Sequence, residues 1–458
     1  MNDTIAAIST PPGRSALAIV RLSGADAVAI ADRVFRAWGT ATDPLAETPA
    51  RTLRHGSAHD ASGETIDELV AVVLLAPASY TGETMVEFTC HGGDWSAPRL
   101  LAALLAAGAR AARAGEFTER AFLNGRIDLA RAEAVADVIH AESELAHRLA
   151  ARQVAGALST GLSNVAEPLR DLLAEVEARV DFAEDVGESA LPKHIGDGLA
   201  RASEALHQLL RGADLGRRAR EGARLALVGR PNVGKSSLFN ALLGESRALV
   251  AAVAGTTRDA VSERLDVGGI PVRLVDTAGL REPDTGQLVE QLGIARTRVE
   301  VEGADAALLV LDASEAWSAA DAGARALIGD RPFVVALNKR DLPRAMVLPT
   351  AQAGATCIEV SALTGEGVPQ LREALAAALA SCSEGDPSAA LVTNVRHIDA
   401  LRRARIAIDE AHGAAASAPG EIVAGEIRVA LAALGEITGE AVAPDLLARI
   451  FARFCIGK

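Results

Sequence analysis

The chain has 458 residues, a net charge of −14 from 46 basic and 60 acidic side chains, and 49% hydrophobic residues. That length exceeds one core and suggests about three domains, at roughly 100–200 residues each. The acidic balance excludes a broad electrostatic grip on nucleic acid, and the wide spacing of Cys90, Cys357, Cys382 and Cys455 excludes a disulfide framework or a cysteine-rich metal site.

At the N-terminus, Met-Asn-Asp-Thr-Ile has neither the basic start nor the apolar core of a signal peptide. No later stretch reaches the ~18–20 uninterrupted apolar residues of a membrane span, so a cytoplasmic address without membrane is expected. Residues 1–119 mix short β-like runs (Ala16 to Arg21, Leu69 to Leu75, Met85 to Thr89) with turns at Pro11-Pro12-Gly13 and His91-Gly92-Gly93. With an Ala/Leu-rich helix expected from Trp95 to Ala107, they read as a small α+β domain.

From Glu116 the texture changes to long helices, with apolar residues three and four apart (Leu129, Ala132, Val135, Ala136, Ile139). This helical part is placed at 120–221, with a break from Asp185 to Gly198 where Gly, Pro and Asp gather. Two arginine clusters, Arg217/Arg218/Arg220/Arg224 and Arg402/Arg403/Arg405, read as solvated helix faces. Across 222–382 strands alternate with helices: Leu225 to Val228, Val272 to Val275, Ala306 to Leu311, Phe333 to Leu337 and Thr356 to Val360 have the length and branching of buried parallel strands. Residues 383–458 return to helix. Domain ends usually lie close together, so the α/β domain is expected to be inserted into one discontinuous α-helical domain.

The α/β part carries the chemistry. Gly229-Arg-Pro-Asn232-Val233-Gly234-Lys235-Ser236-Ser237 follows a strand and opens a helix expected from Ser237 to Leu243, the setting a phosphate loop requires. Its backbone N–H groups and helix N-terminus suit phosphate, Lys235 suits the β/γ phosphates, and the Ser236 hydroxyl suits Mg²⁺. Asp276-Thr277-Ala278-Gly279 closes a strand, with an acid for the magnesium shell and a glycine N–H for the γ-phosphate. Asn338-Lys339-Arg340-Asp341 closes another. A carboxylate only accepts, so Asp341 matches the two donors of guanine and opposes the ring acceptor of adenine. Ser361-Ala362 follows the last strand and offers N–H to the guanine oxygen. Between these elements, Gly255-Thr256-Thr257-Arg-Asp259 provides a switch threonine, Thr257, for magnesium. The site is therefore expected to bind and hydrolyse GTP. The position after Gly279, where many GTPases carry a water-orienting glutamine, is Leu280. Glu282, Asp284 and Glu290 are the nearby acids that remain for water activation, and Arg281 the nearby charge.

With Leu280, Gly255-Thr-Thr-Arg-Asp259 and the terminal Phe454-Cys455-Ile456-Gly457-Lys458 in view, the chain resembles the MnmE (TrmE) family of bacterial tRNA modification GTPases over essentially its full length. Thr10 to Arg14, the run from Gly82 to Gly93, Gly115 to Asn124 and Ile437 to Glu440 carry the same resemblance. It implies a folate-binding, dimerising domain at 1–119 and a constitutive homodimer. It implies action with a flavin-containing partner, in a heterotetramer or larger. Together they would place a 5-aminomethyl or 5-carboxymethylaminomethyl group on the wobble uridine of certain tRNAs, with a carbon from a tetrahydrofolate derivative (5-formyl or 5,10-methylene). It further implies hydrolysis stimulated by K⁺ in place of an arginine finger.

Residue by residue, the resemblance assigns K⁺ to Asn232, Ala251, Val253 and Thr256, and nucleotide contacts to the whole stretch Ala251, Ala252, Val253, Ala254, Gly255, Thr256 and Thr257. It assigns the water-activating acid to Glu290, although the segment from Arg281 to Leu288 is a couple of residues longer than the family pattern. Folate falls to Arg21, Glu87, Arg126 and Lys458. Cys455 lies four residues from the end, but Gly457 and Lys458 depart from a prenylation box, which leaves a redox or catalytic role, or simple packing, for its thiol. Two other readings use the same residues: a regulatory GTP switch in ribosome or RNA assembly, and a helical region whose whole purpose is dimerisation.

Overall fold

The computed structural model describes residues 3–39, 43–181, 191–251, 265–276, 301, 303–349, 355–380 and 391–457. They form two compact units: Met1–Ala136 with Gly435–Lys458, and Asp137–Leu434.

The first unit is built on a seven-stranded sheet. Its strands are β1 (Ile5–Ile8), β2 (Leu17–Ser23), β3 (Phe35–Ala37), β4 (Leu53–His59), β5 (Thr65–Leu74), β6 (Met85–His91) and β7 (Arg110–Ala111), in the order β3-β4-β5-β6-β2-β1-β7. All neighbours run antiparallel except β1 and β7. Alternation along the strands puts Ala18, Val20 and Leu22 of β2 with Leu69, Ala71 and Val73 of β5 and Val86, Phe88 and Cys90 of β6. The helices Ala27–Val34 and Ser96–Ala106 close over that face with Ile30, Ala31, Leu100 and Leu104. The opposite face carries Arg21 and Glu87, directly paired in the β2–β6 register. The C-terminal residues belong to this unit. Ile456 makes an antiparallel bridge to Ala114, and Ser9 Oγ donates to the Gly457 carbonyl at 3.0 Å. Gly457, with φ +92°, lies so close that a Cβ would stand 2.4 Å from the Ile8 carbonyl oxygen.

β8 (Ala223–Val228), β9 (Leu265–Val267), β10 (Ile270–Asp276), β11 (Ala306–Asp312), β12 (Phe333–Asn338) and β13 (Thr356–Glu359) make the second unit's sheet, ordered β13-β12-β11-β8-β10-β9. Every pair is parallel but β9–β10. Both faces are buried: Leu225, Leu227, Leu308 and Val310 point into one core and Ala226, Val228, Leu309 and Leu311 into the other. That two-sided burial is why these strands are continuously apolar.

Helices Glu144–Val154, Ala157–Asp181, Lys193–Leu210 and Ala213–Glu221 precede this sheet, and Val395–Ala414 follows it. Gln153 Nε2 donates to the Leu391 carbonyl at 2.7 Å and to Thr393 Oγ1 at 3.1 Å, so the returning chain meets the outgoing helices. The predicted break is narrower than Asp185 to Gly198. Its first part lies in 182–190, outside the described residues, but the next helix already starts at Lys193 behind Pro192, a residue suited to the entrance of a helix.

The first arginine cluster is not a solvated face. Arg218 is buried and donates to Asp305 Oδ1 at 3.1 Å and to the Leu379 carbonyl at 2.7 Å. Arg217 reaches the same Asp305 oxygen at 3.1 Å, and Arg220 reaches Asp137 at 2.8 Å. The second cluster matches the solvated reading: Arg403 pairs with Asp399 one turn away on its own helix, and Arg402 is 58% exposed.

Candidate functional site

The phosphate loop leaves β8 and opens the helix Lys235–Ala251, which starts two residues earlier and runs longer than its apolar pattern suggested. Asn232 takes φ +64° and Gly234 φ +92°, the left-handed turns that aim successive N–H groups inward. Gly234 has a second constraint: a Cβ there would stand 2.3 Å from Asn338 Nδ2. Val233 is buried under the loop. Lys235 Nζ donates to the carbonyls of Gly229 at 2.7 Å and Arg230 at 2.8 Å. Ser236 and Ser237 are exposed in the first helical turn, so the Ser236 hydroxyl is available to a hard cation such as Mg²⁺, which takes oxygen ligands.

Asn338 ends β12 and is buried. Its amide spends both halves on neighbouring loops: Nδ2 donates to the Val233 carbonyl at 2.8 Å, and Oδ1 accepts from the Ala362 N–H at 3.0 Å. The asparagine thus ties the phosphate loop to the loop after β13. Asp341 is exposed, and its Oδ1 accepts the buried Ser361 hydroxyl at 2.6 Å. Ser361 Oγ in turn accepts from the Thr364 N–H at 3.2 Å, so this carboxylate is oriented from below with its remaining lone pairs free for a donor edge.

Lys339 sits between them with φ +67°, and its ammonium pairs with Asp312 at 2.5 Å. Burial by itself would raise the Asp312 carboxyl; the hydrogen bonds from Lys339 and Ser314 outweigh it and hold it below its ordinary value. Asp312 was missed from the sequence. Its one signal was its place directly after a continuous apolar strand.

Asp276 closes β10 beside Leu227 of β8, two residues before the phosphate loop. Ala251 ends the helix Lys235–Ala251. Ala252, Val253, Ala254, Gly255, Thr256, Thr257, Thr277, Ala278, Gly279 and Glu290 lie outside the described residues, as does Lys458.

In the first unit, Arg21 Nε donates to Glu87 Oε1 at 2.6 Å, and its guanidinium stands 6.0 Å from the Tyr80 ring centre. Arg126 Nε donates to the Ser79 carbonyl at 3.1 Å. The segment Ser79-Tyr80 therefore brings Arg21, Glu87 and Arg126 to one neighbourhood. Cys455 is exposed, and its carbonyl accepts from the Gly115 N–H at 3.4 Å. Burial, helped by the charge of Asp67, pushes the Cys90 thiol up to about 11, so it is a packing residue.

A phosphate loop between strand and helix, joined through a buried asparagine to an Asn-Lys-x-Asp strand end in a largely parallel sheet, defines a P-loop GTPase. Residues 129–455 match the family model of the MnmE helical domain, and residues 4–126 match that of the GTP-binding protein TrmE N-terminus. The tRNA modification GTPase MnmE of Geobacter sulfurreducens is 42% identical over 461 residues, covering 100% of both chains. That of Symbiobacterium thermophilum is 43% identical over 100% of this chain and 99% of its own. The solved FeoB G-domain from Methanococcus jannaschii aligns with 34% of this chain and 97% of its own, at 24% identity and a TM-score of 0.25. The chain belongs to the MnmE family of tRNA modification GTPases.

Proposed function

We propose that the chain hydrolyses GTP and uses the cycle to modify tRNA. The observation that carries this reading is Asp341, an acceptor-only group oriented by the Ser361 hydroxyl at 2.6 Å on a strand end that Asn338 bonds to the phosphate loop at 2.8 Å. A base presenting two donors fits that carboxylate, and a base presenting an acceptor does not. Mg²⁺ would be held by Ser236 and Thr257, with Asp276 behind them, and would neutralise phosphate charge. K⁺ at Asn232, Ala251, Val253 and Thr256 would take the place of an arginine finger, and Glu290 would activate water. The absence of a hydrogen-bonding side chain at Leu280 supports that division of labour.

The finer chemistry follows family membership. A homodimer acts with a flavin-containing partner, in the cytoplasm, to build a 5-aminomethyl or 5-carboxymethylaminomethyl group on wobble uridines. Arg21, Glu87, Arg126 and Lys458 hold the folate that donates the carbon. The Arg21–Glu87 pair and the neighbouring Arg126 support that assignment, because they offer a carboxylate for a pterin edge and cations for an acidic tail. Domains at 1–119, 120–221, 222–382 and 383–458 complete the reading. The test has two arms: nucleotide turnover with GTP or ATP in KCl and NaCl, and wobble-uridine analysis of tRNA from cells lacking the protein. GTP-only turnover, faster in KCl, with unmodified wobble uridines is expected. Equal use of ATP removes the Asp341 argument, and normal tRNA with intact GTP turnover favours the regulatory switch.

A further inference from the structure

Arg230, the second residue of the phosphate loop, sends its side chain away from the loop into a pair of carboxylates. Its Nη2 donates to Glu315 at 2.6 Å and its Nε stands 2.9 Å from Asp321 Oδ1. The two acids are unlike. Glu315 is 56% exposed, so its contact is screened and weak. Asp321 is wholly buried, and neither its Oδ1 nor Arg230 Nε has a hydrogen-bond partner among the described residues. The two atoms face one another as an ion contact at 2.9 Å, and their charges compensate. The other Asp321 oxygen is occupied: it accepts the Ser318 N–H at 2.9 Å and the Ser318 hydroxyl at 2.6 Å, the capping box of the helix Ala319–Ile328.

On the loop side the connection is equally short. The Arg230 carbonyl accepts from Lys235 Nζ at 2.8 Å, and Pro231 restricts the Arg230 backbone to extended conformations. The Gly229 carbon before it leaves no room for a Cβ, which would stand 2.4 Å from the Val310 carbonyl oxygen. The start of the loop is thus fixed on one side by β11 and on the other by the ion contact to Asp321.

We propose that Arg230 is a positioning residue for the phosphate site, and that Asp321 is its buried anchor. The ligand class is a nucleoside di- or triphosphate, so the inference rests on the GTP reading and assigns that same site a support outside the binding motif. The contact acts on the shape of the loop around phosphates shared by GDP and GTP, and it does not touch the transferred group. Its loss falls on affinity and leaves turnover at saturation nearly intact.

The experiment uses the full chain with mant-GDP and mant-GTP titrations and steady-state GTP hydrolysis. Arg230→Gln is expected to weaken both nucleotides by about tenfold and by equal factors, raising KM with kcat changed less than about twofold. Arg230→Lys, which keeps the charge and loses the fork, falls between Gln and wild type. Asp321→Asn retains an oxygen for Ser318 but turns an amide N–H toward Arg230, and gives the same loss as Arg230→Gln. The double variant binds no more weakly than the worse single, because removing both partners leaves no uncompensated charge. Ser318→Ala is the control: it breaks the same cap without touching Arg230 and leaves affinity within about twofold. Losses that multiply in the double variant, or a Ser318→Ala loss equal to that of Asp321→Asn, overturn the proposal. A wild-type chain that binds neither mant-nucleotide overturns the GTP reading itself.

Discussion

Asp341 presents acceptors alone, with one oxygen steadied by Ser361 at 2.6 Å. Asp341→Asn keeps the shape and substitutes a donor for one acceptor. Guanine then meets donor against donor, whereas xanthine, with an oxygen in place of the exocyclic amine, gains a partner. GTP affinity is expected to drop about 10²-fold, the scale of a lost charged hydrogen bond, and XTP to become the better ligand in competition titrations. A variant that still prefers GTP to XTP contradicts the geometry. A second residue, Glu116, works through pH. It is wholly buried, with Arg110 Nη2 at 2.6 Å and Arg120 Nη2 at 3.3 Å. Burial raises its carboxyl, but Arg110, the Arg113 N–H and Arg120 more than reverse this and bring it from 4.5 to about 2. A depressed carboxyl contributes stability that is complete above its unfolded value and is lost as pH falls through 4.5 toward 2. At neutral pH the contribution is on the order of 3 kcal/mol. The hydrogen-exchange protection factors of the helix Glu116–Leu123, corrected for the intrinsic rate at each pH, should fall between pH 5 and 3 in the wild type, and Glu116→Gln should flatten that slope. Parallel slopes in the two proteins rule the linkage out.

Whole elements show what a sequence discloses and what it hides. The strands β8, β10, β11 and β12 were legible to within a couple of residues, because burial on both faces writes an unbroken apolar run. β4 was not. Its Arg54, His55, Ser57 and His59 make four of its seven residues polar and Gly56 interrupts the rest, so its signal is that of a loop. β1 was missed for a different reason: Ile-Ala-Ala-Ile has little β propensity and is made a strand by β2 and β7 on either side. The nucleotide site was legible as motifs whose spacing is local. The partners of Arg218, Arg230 and Lys339 were not, since Asp305, Asp321 and Asp312 lie far along the chain and no period links them. The helix Ala213–Glu221 gives the sharpest case. Asp305 accepts from Arg217, from Arg218 and from the Arg224 N–H at 2.9 Å, so three donors at the start of the α/β sheet depend on one carboxylate. Asp305→Ala is expected to destabilise the second unit by about 3 kcal/mol, the scale for stranding one side of a buried pair. Asp305→Asn should cost less because its oxygen still accepts. Urea unfolding resolves the two; a neutral Asp305→Ala would return this cluster to the solvent.

At the scale of the molecule, the α/β sheet enters and leaves the helical half at one place. The chain departs at Gly222, after Ala213–Glu221, and returns at Leu391, whose carbonyl Gln153 holds at 2.7 Å. Six residues before the departure, Gly216 packs so tightly on the returning segment that a Cβ would stand 2.3 Å from the Val392 carbonyl oxygen. Beyond this junction Val395–Ala414 runs against Lys193–Leu210, with Ser203 Oγ donating to Asp409 at 2.5 Å. The helical half therefore has its own packing and its own polar ties. It is not independent, because Leu145, Leu149 and Leu215 are buried in the core of the α/β sheet. Excising residues 223–390 and joining the ends with a short Gly/Ser linker uncovers those three leucines together, each worth roughly 1.5–3 kcal/mol of burial. Such a patch drives association. The excised chain is expected to keep a strongly helical circular dichroism spectrum but to sediment as oligomers. The same chain with Leu145→Gln, Leu149→Gln and Leu215→Gln should lose that association and retain a cooperative thermal melt. If neither version melts cooperatively, the helical half draws its order from the sheet inserted into it. If the unsubstituted version no longer associates beyond what the substituted one does, the three leucines are not the seam that joins the GTPase core to the helices.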